Sequence, residues 1–554
     1  MQTIQQIRQR REEILNELAG LERIRRGSVT EQMVRPIGRN GRQYTCGPYT
    51  LFSFKRNGRT QSRRLPAAEA ERIRKEVNAG HRFQELTHEL MDLGEAACGL
   101  GETPNAEKKN AEFLVERELE ASRIVERIRK EKAPDMEAWE QTVLQASLGA
   151  GAAALGAILS ALGGGRRKEP LVCSCGARMH SAGLRSKRVV TVLGEIAFSR
   201  SLFICPNCGN ACFPADQALD MERTGFSPGV RRLMARAGAS RSFGHAEEDL
   251  RIFAHIDVDR RDIERVAEAL GAQIEELQAR TPAAPLGELP PIPVLYVEYD
   301  GTAAPMRKGE LAGHKGKQPG TDPKGREVKL GCVFTQSGCD EDGYAVRDEG
   351  STTYVAGIES SSFFGERIYN EALRRGIEQA ARVVVLTDGA AYNRTIKDVH
   401  FHGALHIVDL YHAGEHLTAL MDLLRIAPSD RKKWLDWLDG GRIDALAAEA
   451  KQHLPSRGKR RKEAKREINF FMKNEKRMQY AEFRRQGLFV GSGVIEAGCR
   501  TAVGTRCKQS GMFWSVRGAH AILQLRCCIL SGRFAAAWED LACDRRVQCK
   551  VPAA

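Results

Sequence analysis

No secretory leader opens this chain: Met1 runs directly into a charged, helix-forming stretch, so an exported protein is not expected. Long apolar runs are equally scarce. Val143 to Leu162 reaches membrane length, but it carries Gln145 and many small residues, which favours a tightly packed buried helix over a span. Acidic side chains fall short of basic ones, 71 against 85, leaving a formal net charge of +14. Such an excess points to a polyanionic partner reached through phosphate neutralisation, with an anionic membrane surface as the alternative. Fifteen cysteines, an odd number without a leader, argue for reduced thiols or metal ligands rather than disulfides. A cytoplasmic, nucleoid-associated protein is the expectation. Its 554 residues exceed what one core holds, so several domains are expected.

The pattern along the chain divides it. Residues 1–100 read as a helix, a hairpin and a helix. Ile4, Ile7, Ile14, Leu18 and Leu21 fall on heptad seam positions, consistent with a short coiled coil or an ordinary amphipathic helix. Asn57-Gly58 marks a hairpin turn within 43–65, where Tyr44, Tyr49, Phe52 and Phe54 alternate with basic residues. That mixture suits either nucleic acid or a small core with a solvated rim. Long helices and a linker fill 101–168. A cysteine module follows at 169–216, then a helical region at 217–284. There a tight turn at His255-Ile256-Asp257-Val258 permits a helix-turn-helix reader or a helical spacer. The proline-rich stretch from Thr281 to Pro293 marks a boundary. An α/β core occupies 290–411, with strands expected at 294–300, 328–335, 353–358, 383–388 and 404–409. A basic helical insertion spans 412–487. Final core helices occupy 488–535, and 536–554 form a tail. The fold class expected is multidomain α+β.

Three acids stand at informative places. Asp300 ends the run Val294-Leu295-Tyr296-Val297-Glu298-Tyr299-Asp300, and Asp388 ends Val383-Val384-Val385-Leu386-Thr387-Asp388. Glu496 begins a helical stretch in Gly491-Ser492-Gly493-Val494-Ile495-Glu496. Two strand-end carboxylates converging with one helix carboxylate form a hard-oxygen site for two magnesium (or manganese) ions, the apparatus of phosphodiester cleavage and rejoining. The order of three strands, helix, strand, helix, strand is similar to a ribonuclease H-like core, whose first and fourth strands are central neighbours. Glu298 shares a strand face with Asp300, either as an auxiliary ligand or in a salt bridge.

Cys173-Ser174-Cys175-Gly176 and Cys205-Pro206-Asn207-Cys208-Gly209 read as two knuckles of a zinc-ribbon-like module, four thiolates for one structural zinc. Cys212 and His180 are spare donors. Arg178, Arg185, Lys187 and Arg188 are candidate phosphate contacts. Basic residues also crowd the loop after Asp300 (Arg307, Lys308, Lys315, Lys317, Lys324, Arg326) and the insertion (Arg457 to Arg466). Arg500, Arg506 and Lys508 follow Glu496 as candidate DNA contacts, while Trp514 reads as core.

The stretches Glu298-Tyr299-Asp300-Gly301-Thr302, Arg326 to Gly331, Thr387-Asp388-Gly389-Ala390, Asp409 to Leu417 and Gly491 to Ala497 together resemble DDE transposases of the Mutator-like superfamily, in the bacterial insertion-sequence group often called the ISKra group. The resemblance runs from about Leu171 to Leu530. It implies catalysis by Asp300, Asp388 and Glu496, with Asp409 and His412 as an auxiliary pair after the fifth strand; the alternative for those two is a helix cap and a core histidine. It also implies binding of terminal inverted repeats, metal-dependent cleavage and strand transfer, and at least a homodimer on DNA. The rival expectations are a ribonuclease H-like nuclease without transposition and a domesticated DNA-binding regulator.

Overall fold

The computed structural model describes residues 4–21, 23–35, 43, 45–56, 59–98, 135–166, 170–285, 289–314 and 323–548. Asn57-Gly58, Tyr44, Lys315 and Lys317 lie outside them. Met1–Ala150 and Gly151–Ala554 are two compact units.

In the first unit the helix Ile4–Ala19 lies against the helix Ala67–Cys98. Ile7 and Ile14 are fully buried with Leu86 and Leu93, so the heptad seam is covered by the same chain. Arg10 bonds Glu89 at 2.8 Å and Arg82 bonds Glu17 at 2.7 Å along the seam's edge. Strands β1 (Ser28–Val34), β2 (Cys46–Arg56) and β3 (Arg59–Arg64) form an antiparallel sheet. Phe52 is buried there with Leu65, Ile73 and Val77, while Arg63 and Arg64 remain exposed. This is the small core with a basic rim.

The helix Met136–Ala161 departs from expectation. Of its side chains only Leu159 is buried, and Val143 and Ile158 are more than half exposed. By length and composition it is the one helix among the described residues able to cross a membrane. The tightly packed helix expected from its small residues is therefore not seen among the described residues. Ala and Gly spread evenly around a helix give no apolar stripe to bury.

In the second unit β4 (His180–Thr191), β5 (Gly194–Ile204) and β6 (Ala211–Cys212) form an antiparallel sheet behind the cysteines. Three helices follow: Pro228–Ser240, Phe243–Ala254 and Arg260–Arg280. Ser227, Ser242 and Asp259 cap their N-termini through side-chain oxygens. The third helix buries Ile263, Leu270 and Ile274 and packs on the late helix Val516–Leu530. Its apolar face is thus joined to the core.

The core sheet contains β7 (Ile292–Pro305), β8 (Gly325–Gln336), β11 (Thr353–Gly357), β12 (Ala380–Thr387) and β13 (Leu405–Val408), in the order β11-β8-β7-β12-β13. Two short strands, β9 (Gly338–Cys339) and β10 (Ala345–Val346), form a separate ribbon. β7 is central, antiparallel to β8 and parallel to β12. Its Val294, Leu295, Tyr296 and Val297 form a near-continuous apolar run, as a strand covered on both faces requires. Leu295 and Val297 face Phe364, Ile368 and Phe401, while Tyr296 faces Leu386, Ile407 and the late helices. Residues 412–487 hold helices and no strand; Leu410–Leu424, which enters this region, is followed by Pro428–Asp439, Ile443–Gln452, Lys459–Asn474 and Tyr480–Arg485. The protein is a mixed, multidomain α+β structure.

Candidate functional site

Strand pairing brings the first two acids together. The β7–β12 register ends with Leu386 opposite Glu298, and two residues further along the parallel strands stand Asp388 and Asp300. Neighbouring strands lie about 4.8 Å apart, so these two residues stand side by side where β12 ends, while β7 runs on with β8 to Pro305. β12 ends at Thr387 because the chain turns away at Gly389, whose φ of +82° a side-chain-bearing residue rarely adopts.

Each acid is fixed by local donors. Asp300 Oδ1 accepts the Gly301 N–H at 2.6 Å. Asp388 Oδ1 accepts the Ala390 N–H at 2.9 Å and the Asn393 Nδ2 amide at 2.6 Å. Asn393 is fully buried, and its backbone carbonyl oxygen accepts the Tyr299 hydroxyl at 2.7 Å. A residue of β7 thereby holds the backbone of the residue that fixes the acid just after β12. The Asp300 carboxyl is pushed above its ordinary value, first by burial and then by the charges of Asp388 and Glu496. Cys499 Sγ lies 4.0 Å from Asp300 Oδ2, and its thiol is raised to about 12, mainly by burial and then by Asp300.

Glu496 arrives on the helix Gly493–Gly498, which continues through a π-helical turn at Cys499–Gly504. Wide turns of this kind recur at functional sites. Two buried carboxylates place that helix. Glu298 is fully buried and accepts the Ile495 N–H at 2.9 Å. Among the described residues its other oxygen, Oε1, has no hydrogen-bond partner, and burial raises the carboxyl to about 8. Glu298 has no salt bridge among the described residues, contrary to the commoner fate of such an acid. Asp409 is also fully buried and caps the helix Leu410–Leu424. Its Oδ1 accepts the His412 N–H at 2.7 Å, and its Oδ2 accepts the Ser492 N–H. Ser492 in turn donates its hydroxyl to Glu496 Oε1 at 3.3 Å.

Asp409, His412 and Glu496 each present a ligand atom within 4.8 Å of the others. Asp300 and Asp388 are not members of this set. With a backbone N–H on each oxygen, Asp409 serves as an anchor for the Glu496 helix. His412 Nδ1 is 3.4 Å from Asp409 Oδ1, an ion-pair separation without hydrogen-bond geometry. Asp409 nevertheless raises the imidazole to about 9, and Asp388 adds to the effect. The neighbouring acids thus favour the cationic form of His412. His416 turns elsewhere: its Nδ1 meets Glu467 Oε2 at 2.6 Å and its ring stacks on Phe470, tying the insertion to the core.

The cysteines form the second centre. Cys173, Cys175, Cys205 and Cys208 have sulfur atoms all within 4.8 Å of one another, and Cys173–Cys208 and Cys175–Cys205 are each 3.5 Å apart. Ligands about 2.3 Å from a tetrahedral zinc lie roughly 3.8 Å from each other, so the set fits that ion. Each knuckle closes with a backbone bond, Gly176 N to Cys173 O and Gly209 N to Cys205 O, at glycines of positive φ. The Cys173 thiol is held down to about 6, first by the Cys175 backbone N–H. Cys212 points to Met179 Sδ at 3.9 Å and stands outside the set.

The basic candidates divide. Arg307, Lys308, Arg500 and Lys508 are exposed, with Lys508 bonded to Thr302 two residues past Asp300. Arg506 is a correction. It is fully buried, donates Nε to the Gly238 carbonyl at 2.8 Å, and lies between Phe243 and Trp514, so it holds helices together and cannot reach DNA. Burial lowers its guanidinium to about 10. Lys187 is likewise engaged, at 2.9 Å from buried Asp216. Trp514 is core, its backbone bridging Met306. Asn393, Ser492 and Cys499 are site residues that sequence reasoning missed. Their partners lie close only after folding, and only the Ser492–Glu496 spacing of one helical turn carried a signal.

Among curated proteins none matches the chain closely enough to show kinship. Residues 177–540, containing both centres apart from Cys173 and Cys175, match a family described as Uncharacterised protein family (UPF0236), and with well over half its length covered the protein belongs to that family.

Proposed function

We propose that this protein is a DDE-type transposase with a ribonuclease H-like core, acting on the terminal inverted repeats of an insertion sequence. The observation that carries the reading is the juxtaposition of Asp300 and Asp388 on adjacent central strands, with the Glu496 helix anchored over them by Glu298 and Asp409. The acids fit divalent ions: Asp300 is raised by burial and by its acidic neighbours, a repulsion that a cation would relieve. Magnesium held by Asp300, Asp388 and Glu496 would activate a water or 3′-hydroxyl and stabilise the leaving oxygen.

The chain's own residues do the positioning. Asn393 and the Ala390 N–H orient Asp388, while Ser492 orients Glu496. Protonated His412 supplies a positive charge for a phosphate drawn toward the acids. Arg307, Lys308, Arg500 and Lys508 follow the strand on either side. The four-cysteine module holds a structural zinc that takes no part in cutting, and it displays Arg178, Arg185 and Arg188 to DNA. Synapsis of two ends makes the working form a homodimer or higher.

The test is incubation of the purified protein with labelled terminal-repeat DNA, with magnesium and with calcium. Cleavage in magnesium only, followed by joining of the 3′ ends to target DNA, is the expected result. Cleavage without joining favours the plain nuclease. Binding without cleavage favours the regulator.

A further inference from the structure

A cleft of 760 Å³ opens at the opposite end of the core sheet from the acids. It lies where β12 and β13 begin, beside the helix Ala391–His400 and the turn Glu475–Arg477 of the helical insertion. Asp388 follows the other end of β12, eight residues on from Ala380, or about 25 Å of extended strand, while the inner wall of the cleft at His406 reaches Thr387. Asp300, Asp388 and Glu496 are not among its lining residues.

Arg382, Arg394, Lys397, Lys476 and Arg477 line the cleft, against one carboxylate, Asp398. Asp398 is shared by Arg394 at 3.4 Å and Lys397 at 3.7 Å. The other three cations meet no carboxylate in an ion pair among the described residues. Arg382 donates to the Gln486 side-chain oxygen at 2.6 Å, and Arg477 donates to the Lys473 carbonyl at 3.2 Å. His406 adds no charge. It is buried against Thr387, and burial followed by Arg477 and Lys397 lowers it to about 3. Cations gathered with too few acids repel one another, and a bound polyanion removes that penalty. The walls come from both the sheet and the insertion, so the insertion has a reason to be basic at this end.

We infer that this cleft is a second phosphate-binding site, seating the phosphodiester backbone of DNA that extends beyond the cleavage centre. The choice of DNA rests on the functional reading above; the phosphate chemistry rests on the cleft itself. The test uses the full-length protein and fluorescence anisotropy with duplex DNA of mixed sequence, over a series of salt concentrations. The double variant Arg394→Ala, Lys476→Ala removes two exposed lining cations. Its plot of log affinity against log salt is expected to be shallower by about 1.8, two counterions' worth. Lys432→Ala with Lys451→Ala, also exposed but outside the cleft, is expected to leave the slope unchanged. Equal thermal unfolding midpoints for all three proteins show that folding is intact. An unmoved slope in the cleft variant, or equal flattening by the control pair, overturns the inference. Stabilisation of the wild type by micromolar inorganic phosphate, lost in the cleft variant while the DNA slope stays fixed, assigns the cleft to free phosphate and overturns the DNA assignment. Absence of any duplex binding by the wild type sinks the functional reading as well.

Discussion

Replacing Asp409 with alanine tests whether that carboxylate is an anchor or a metal ligand. The side chain is fully buried, and its two oxygens accept the backbone N–H groups of His412 and Ser492. Alanine leaves both amides without an acceptor. Each orphaned buried donor costs about 1–3 kcal/mol, so a central value near 4 kcal/mol follows for the pair. That loss is local, because it frees the Gly491–Glu496 segment from the start of the helix Leu410–Leu424. At about 1.4 kcal/mol per decade, amide exchange over that segment should quicken roughly 700-fold. Hydrogen exchange by mass spectrometry in chelator, with no divalent ion present, is the appropriate assay. The reasoning predicts the full effect in chelator, with Asp409→Asn intermediate because its amide keeps one acceptor. Exchange that matches the wild type in chelator and differs only with magnesium would refute it and make Asp409 a ligand.

Three further outcomes follow from the same structure. Cys205→Ser should lower bound zinc from about one per chain to near zero by elemental analysis and expose 171–216 to limited proteolysis; undiminished zinc would rule out the four-sulfur site. Arg506→Ala should destabilise by about 3 kcal/mol in chemical denaturation, through lost bonding and stacking in the interior. Arg500→Ala should stay within roughly 0.5 kcal/mol while weakening DNA binding; the reverse pattern would restore Arg506 as a DNA contact. Glu275 accepts from His520 at 2.8 Å and Arg367 at 2.6 Å, and the His520 bond foremost lowers its carboxyl to about 2. A depressed acid stabilises above its unfolded value near 4.3 and loses that contribution as pH falls toward 2. The gap in melting temperature between wild type and Glu275→Gln should thus be present at pH 7 and shrink below pH 4; a constant gap would contradict the ion-pair account.

Much of the core was legible because its strands are apolar runs with polar ends. The stretches 294–300 and 383–388 appear as Ile292–Pro305 and Ala380–Thr387. β7 outruns its apolar part because β8 pairs with it as far as Pro305, a non-local effect that no window on one strand contains. β1, Ser-Val-Thr-Glu-Gln-Met-Val, carries too little apolar character to announce itself and forms by pairing with β2. At the site, Asp388 was readable as a strand-end acid, and Asp300 as the end of an apolar run, although β7 continues past it to Pro305. The cap that Asp409 places on the His412 N–H was readable as a local spacing; its bond to Ser492, and the hold of Tyr299 on Asn393, were not, since they link residues on different elements. Arg506 misled because a cation in a basic stretch reads as surface, whereas Phe243, Trp514 and the Gly238 carbonyl surround it with good partners. The small residues of Met136–Ala161 suggested close packing that the described neighbours do not supply.

The central claim is that Asp300, Asp388 and Glu496 share one divalent-metal pocket. Manganese binding measured by electron paramagnetic resonance tests it directly, comparing the wild type with Asp300→Asn, Asp388→Asn and Glu496→Gln. The account predicts a spin-coupled ion pair in the wild type, disrupted by each single substitution while the fold is retained. Unaltered manganese occupancy and coupling in these variants would contradict it.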